Sequence, residues 1–155
     1  MSELTYQPRG TYFEGFEVGQ EMITAGRTIT EHDVVTFAGL SGDFNQIHTD
    51  AEYARNDTFG QRVAHGLLVQ SVATGLMVQS GVIEGTVLAF REQTAKFSLP
   101  VFIGDTIHVR GKITAKKALR RLGGGNITIR YAVINQEGKR VQTGDWVMLV
   151  KSQPS

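Results

Sequence analysis

The chain contains no cysteine, which removes disulfides, thiolate nucleophiles, cysteine-ligated zinc and iron–sulfur clusters together. Redox chemistry carried by its own side chains is thereby excluded. Charge of one sign is also missing, since 16 Lys and Arg stand against 15 Asp and Glu for a formal net charge of +1. A surface so balanced exerts no long-range pull on DNA, RNA or anionic lipid, so neither nucleic acid nor membrane is an expected partner. Proline numbers only 3, and no Pro/Ser-rich linker, internal repeat or low-complexity tract divides the sequence. The start, Met1-Ser2-Glu3-Leu4-Thr5-Tyr6, lacks the cationic and then apolar order of a signal peptide. The longest apolar-leaning stretch, 64–80, is broken by Gln70, Ser71, Thr74 and Gln79 and falls short of a membrane span. A cytoplasmic location is the expectation.

What is present is enough for one ordinary domain. A chain of 155 residues, 41% of them hydrophobic, can bury about two-thirds of the surface its unfolded form exposes. A single domain over 12–150 with short tails is the economical reading. Residues 21–28 read as a first strand. Thr30 with Asp33 three residues on has capping-box spacing and opens a helix over 31–40, with an apolar stripe at Val34, Val35, Phe37, Ala38 and Leu40. That helix ends at Gly39–Gly42 and gives way to a polar loop from Asp43 to Asp50, followed by a second helical turn.

Residues 65–80 carry Leu68, Val69, Val72, Ala73, Leu76 and Met77 at intervals of three and four, with Leu67 and Val78 widening the apolar surface. Such a helix must be enclosed. Residues 86–98, 106–118, 127–135 and 141–150 all have strand character, with Glu137-Gly138 as a hairpin turn and Leu122-Gly123-Gly124-Gly125 as a looser one. Short connections make successive strands antiparallel. The predicted architecture is α+β, a curved antiparallel sheet wrapped around one long helix.

Several residues are able to carry chemistry. Asp43 and His48 share one polar loop, where a carboxylate and an imidazole can grip a water, one taking a proton while the other orients or returns one. The alternative is a turn cap at Asp43 and a packing residue at His48. His65-Gly66 opens the long helix, whose free N–H groups and positive dipole end suit an oxyanion. Gly66 would let a thioester approach the backbone, or would merely allow close packing against a strand. His65 reads as a supporting group. The four histidines, His32, His48, His65 and His108, form no H-x-x-H or H-E-x-x-H pair; Asp43, Asp50, His48 and His65 need not converge, and no metal is expected. Arg110, Lys112, Lys116, Lys117, Arg120 and Arg121 form a basic run that reads as a solvated face, or as a contact for a nucleotide-bearing ligand or an acidic carrier protein. The three glycines at 123–125 lack a phosphate-loop context, and Tyr131 and Trp146 read as packing residues.

At Leu40-Ser41-Gly42-Asp43-Phe44-Asn45-Gln46-Ile47-His48, at Ala64-His65-Gly66-Leu67-Leu68 and at Phe97-Ser98-Leu99-Pro100-Val101-Phe102-Ile103-Gly104-Asp105 the sequence resembles the MaoC-like dehydratases, and among them the single-domain (R)-specific enoyl-CoA hydratases. The resemblance runs from about Phe16 to Val150. It implies a hotdog fold and an obligate homodimer, or a higher oligomer built from dimers, with the acyl pocket along the subunit interface. It assigns water activation to Asp43 and His48, the thioester oxygen to the Gly66 N–H, and loop support to Asn45. Gln46 stands where the family usually has Pro, which would pre-set the backbone before Ile47.

The implied reaction is reversible hydration of a trans-2-enoyl-CoA to a (R)-3-hydroxyacyl-CoA. It uses no cofactor, with coenzyme A present only as part of the substrate, and Val69, Val72 and Leu76 are candidates for the acyl wall. A 3-hydroxyacyl-[acyl carrier protein] dehydratase shares this chemistry with a carrier protein as partner. A hotdog acyl-CoA thioesterase is disfavoured because 65–80 holds no Asp or Glu. A non-catalytic thioester-binding subunit is the remaining alternative.

Overall fold

The computed structural model describes residues 4–154. Among the described residues seven antiparallel strands form one curved sheet: β1 (Glu21–Ile23), β2 (Arg27–Thr28), β3 (Val87–Gln93), β4 (Lys96–Phe97), β5 (Thr106–Leu119), β6 (Gly124–Ile134) and β7 (Arg140–Lys151). The order is β1-β5-β6-β7-β3, with β2 also on β5 and β4 also on β7. The helices α1 (Glu31–Ser41), α2 (Gln46–Thr49), α3 (Ala51–Arg55) and α4 (Gly66–Gln79) lie between β2 and β3 in sequence.

Alternation along the strands decides which face meets α4. Ile107, Val109 and Ile113 of β5, Ile127, Ile129, Tyr131 and Val133 of β6, and Trp146, Met148 and Val150 of β7 are buried. They form one core with Leu68, Val69, Val72, Ala73, Leu76 and Met77 of α4. The register sets Ile113, Ile129 and Trp146 in one row across the sheet and Val109, Val133 and Gln142 in another, with Gly111, Tyr131 and Gly144 between them. Tyr131 stacks on Trp146 at 4.1 Å, and its hydroxyl donates to Gln70 Oε1 of α4 at 2.7 Å, tying helix to sheet. Burial raises the Tyr131 pKa to about 12, so this hydroxyl stays a donor.

Four local expectations change. The strand over 21–28 splits, because Thr24 Oγ1 accepts the Val109 N–H at 3.0 Å and the ladder to β5 resumes only at Arg27. The strand over 86–98 likewise splits into β3 and β4, where Thr94 bonds Asp145 through both its backbone N–H and its Oγ1. Gly124 and Gly125 are strand rather than turn. Side chains there have no room, since a Cβ on Gly124 would lie 1.9 Å from the Val150 carbonyl oxygen, so the turn is confined to residues 120–123. The N-terminal segment is no free tail: Gly10 and Thr11 donate to the Glu84 and Val82 carbonyls, and Tyr6 and Arg9 both reach the Glu84 carboxylate.

Candidate active site

The loop that begins at Asp43 is built by local hydrogen bonding. Helix α1 starts on the reciprocal Thr30/Asp33 capping box and stops at Gly42, whose φ of 78° is a left-handed conformation that costs glycine little. Asp43 Oδ1 then accepts the Asn45 N–H at 3.2 Å, and Asn45 Oδ1 accepts the Ile47 N–H at 3.3 Å. Asn45 is thus the N-cap of α2, a helical turn inside what reads in sequence as an irregular loop. Gln46 is the first residue of that turn, a position whose N–H needs no intrahelical partner and which proline also fits. Arg62 pairs with Glu31 and also reaches the His48 carbonyl at 3.5 Å, joining the loop to α1.

The two imidazoles have their tautomers fixed by chemistry. His48 is buried, and its Nδ1 lies 2.7 Å from the Val63 carbonyl oxygen, which can only accept, so Nδ1 carries the proton and Nε2 keeps a lone pair. By the same reasoning His65 donates Nε2–H to the Asp43 carbonyl at 2.9 Å, while its Nδ1 is buried and unpartnered among the described residues. The rings stack 3.8 Å apart at 29°, with Phe37 packed on His65 at 5.0 Å. Burial depresses the His48 pKa below the ordinary histidine value, and the neighbouring His65 adds to this, against the opposing influence of the Val63 bond and the Asp43 charge. His48 is therefore a neutral base at pH 7.

Asp43, His48 and His65 bring potential ligand atoms within 4.8 Å of one another. Two imidazoles and a carboxylate are suitable zinc donors by type. The two imidazole rings are stacked, so the group brings a carboxylate and two ring nitrogens to one small space.

These residues open on a cleft of about 820 Å³ lined by Phe37, Val63, Leu67, Val69, Leu99 and Gln142 among others. Gly66, the first residue of α4, lies in its wall. A Cβ on Gly66 would come within 2.7 Å of the Phe97 ring, so the glycine serves close packing against β4. The N-cap residue His65 makes no side-chain capping bond. Of the three candidate acyl-wall residues, Val69 lines this cleft, whereas Val72 and Leu76 border a separate depression of about 200 Å³ farther along α4. Asp50, grouped with the histidines in sequence, caps α3 instead by accepting the Glu52 and Tyr53 N–H groups.

Two members of the basic run, Arg110 and Lys112, border a surface depression together with Arg130 and Arg140. Lys112 pairs with Glu21 at 3.3 Å, while Lys116 donates to the Phe16 carbonyl and lies over the Phe13 ring. Phe37, Arg62, Phe97 and Gln142 belong to the site without having been singled out as site residues in the sequence. For Gln142 a signal existed: counting by twos from Trp146 along β7 places a polar residue on the helix-facing side.

The MaoC like domain profile matches residues 15–136. The chain is 39% identical over 117 residues to Protein MaoC of Klebsiella aerogenes, covering 76% of this chain but only 34% of that longer protein. It is 30% identical over 135 residues to the (R)-specific enoyl-CoA hydratase of Aeromonas caviae, covering 87% of this chain and 96% of that one. A solved structure from Mycobacterium tuberculosis described as a double hotdog fold superposes with a TM-score of 0.85 over 97% of this chain and 47% of that one. At 19% identity that likeness concerns the fold alone. With its profile match over most of its length and a sheet wound about α4, the chain is a hotdog-fold member of the MaoC-like hydratase/dehydratase family.

Proposed function

We propose that the protein reversibly hydrates trans-2-enoyl-CoA thioesters to (R)-3-hydroxyacyl-CoA thioesters, with Asp43 and His48 activating the water and the Gly66 N–H binding the thioester oxygen. The observation that carries this reading is the convergence of the Asp43 carboxylate with a neutral His48 at the mouth of a largely apolar cleft, beside an α4 start that no side chain caps. The (R) outcome and the CoA thioester are carried over from the name of the Aeromonas relative.

The chemistry follows from the polarity of each group. The carbonyl oxygen on the Gly66 N–H draws electron density from C3. The lone pair of a water held between Asp43 and His48 Nε2 forms the C3–O bond, the π pair of C2=C3 moves toward the thioester, and the water's proton passes to the pair. Protonation at C2 completes the addition, and the reverse sequence is dehydration. No cofactor takes part. His65 holds the Asp43 backbone and stacks on His48, so it positions both groups.

A homodimer is part of this reading. Leu67, Phe97 and Leu99 leave much of their apolar surface exposed at the cleft, and a second copy would cover them. The test is loss of the conjugated enoyl absorbance of crotonyl-CoA, with chiral analysis of the product, for wild type, Asp43→Asn and His48→Gln. Rapid formation of the (R)-alcohol by wild type, lowered by about 100-fold or more in either folded mutant, is expected. Release of free thiol instead would assign a thioesterase, and full activity in either mutant would sink the catalytic pair.

A further inference from the structure

Helix starts that bind an oxyanion must hold their N–H still, and Gly66 is poorly suited to do so alone. As a glycine it has the freest backbone of any residue, and as the first residue of α4 its N–H has no intrahelical bond. Its carbonyl nevertheless receives a side chain from the sheet: Gln142 Nε2 donates to the Gly66 oxygen at 2.8 Å. Since that carbonyl can only accept, the amide orientation is settled by chemistry.

Gln142 is only 2% exposed, and it sits directly opposite Phe97 across the β7–β4 pairing. One pair of facing strand residues therefore grips Gly66 twice, with the Phe97 ring filling its Cβ position and the Gln142 amide holding its carbonyl. The grip is not explained by stability. Gln142 Oε1 is buried with no partner among the described residues, and an acceptor left so costs about 1–3 kcal/mol that an aliphatic side chain would avoid. Val133 and Val109, which continue the same row across the sheet, are aliphatic. Gln142 also lies beyond residues 15–136, the stretch matched by the family profile.

We infer that Gln142 is a positioning residue for the reaction: by holding the Gly66 carbonyl it fixes the Gly66–Leu67 peptide and limits the rotation about Gly66 that would turn the N–H of the adjoining His65–Gly66 peptide away from the developing enolate oxygen. The inference rests on the role proposed above for Gly66. Misplacement of such a donor by about 1 Å lowers turnover about 100-fold, and loss of an interaction made mainly in the transition state appears in kcat more than in KM.

The test measures crotonyl-CoA hydration by wild type, Gln142→Met and Gln142→Glu across pH. Gln142→Met keeps the length and loses the donor; its kcat should fall about 10- to 100-fold with KM within about threefold. Gln142→Glu can donate to the Gly66 carbonyl only while its carboxyl is protonated. Its kcat relative to wild type should rise as pH falls and drop to the Met level as the group ionises, a dependence that a packing role would not produce. A Met variant within twofold of wild type, or a flat Glu-to-wild-type ratio, overturns the inference, and the second readout stands even if the Met variant does not fold. Wild type inactive on enoyl thioesters overturns the Gly66 reading as well, whereas active wild type with indifferent Gln142 variants overturns this one alone.

Discussion

The starts of α1 and α4 are built in opposite ways. At α1, Thr30 and Asp33 close each other's backbone donors in a full capping box, and Arg27 adds an ion pair to Asp33 at 2.5 Å. At α4, His65 occupies the N-cap position and caps nothing, having turned its ring to the Asp43 carbonyl and the face of His48. The α1 start is complete within a few residues of one chain segment. The α4 start is held from three separate places, the Asp43 loop, β4 and β7, and it opens on a cleft. A helix whose first donors are satisfied locally supports the fold, while one whose donors are kept free and held from outside is arranged for a ligand.

Substitutions can break or sharpen this contrast. The largest expected effect is at Gly66→Ala, where the new Cβ meets the Phe97 ring and either that ring or the helix start must shift. Turnover should fall about 100-fold, and Phe97→Ala in the same chain should recover part of it; normal turnover in the single mutant would show that the close packing has no bearing on chemistry. Next is His65→Phe, which keeps a stacking ring but loses the bond to the Asp43 carbonyl. A drop of about tenfold is expected, with His65→Gln, which retains a donor, retaining more activity, on the order of effect that positioning contacts carry. Equal rates in the two variants would remove His65 from the mechanism.

Thr30→Ala should do the reverse, lowering stability by about 1 kcal/mol in a denaturant titration while leaving kcat unaltered. A kcat change larger than the stability loss would mean that the α1 cap also serves the site. The smallest effect is the pH response of His48. Because its pKa lies below the ordinary 6.5 in the folded state, the unfolded chain binds more protons in the window between the two values, and stability rises with pH across that window. This contribution is complete above 6.5 and is lost as pH falls through the folded value. His48→Gln should flatten that slope, and the acidic limb of wild-type kcat/KM should have its midpoint below 6.5; a midpoint at or above it would contradict a neutral, desolvated His48.

Much of the fold was legible because it depends on periodicity. The three-and-four spacing from Leu68 to Met77 and the alternation in β5 and β6 are consequences of helix and strand geometry, and they led directly to a sheet around α4. The Thr30/Asp33 capping box was legible for a similar reason, since both partners lie within one turn. The breaks in the strands expected over 21–28 and 86–98 were not, because they arise from bonds that Thr24 and Thr94 make to residues far along the chain. Asp43, His48 and Gly66 could be named from short motifs, but nothing local to those motifs fixes which nitrogen of each histidine is free.

By itself, then, the sequence determined what near neighbours decide: the enclosed helix, the antiparallel sense of the strands, the capped α1, and the absence of thiol chemistry. Only the tertiary structure decided the proton positions on His48 and His65, through the Val63 and Asp43 carbonyls, and the hold of Phe97 and Gln142 on Gly66. Hydrogen-bond partners 15 to 76 residues apart leave no periodic trace in the chain. They become readable when folding brings them within 3 Å of each other.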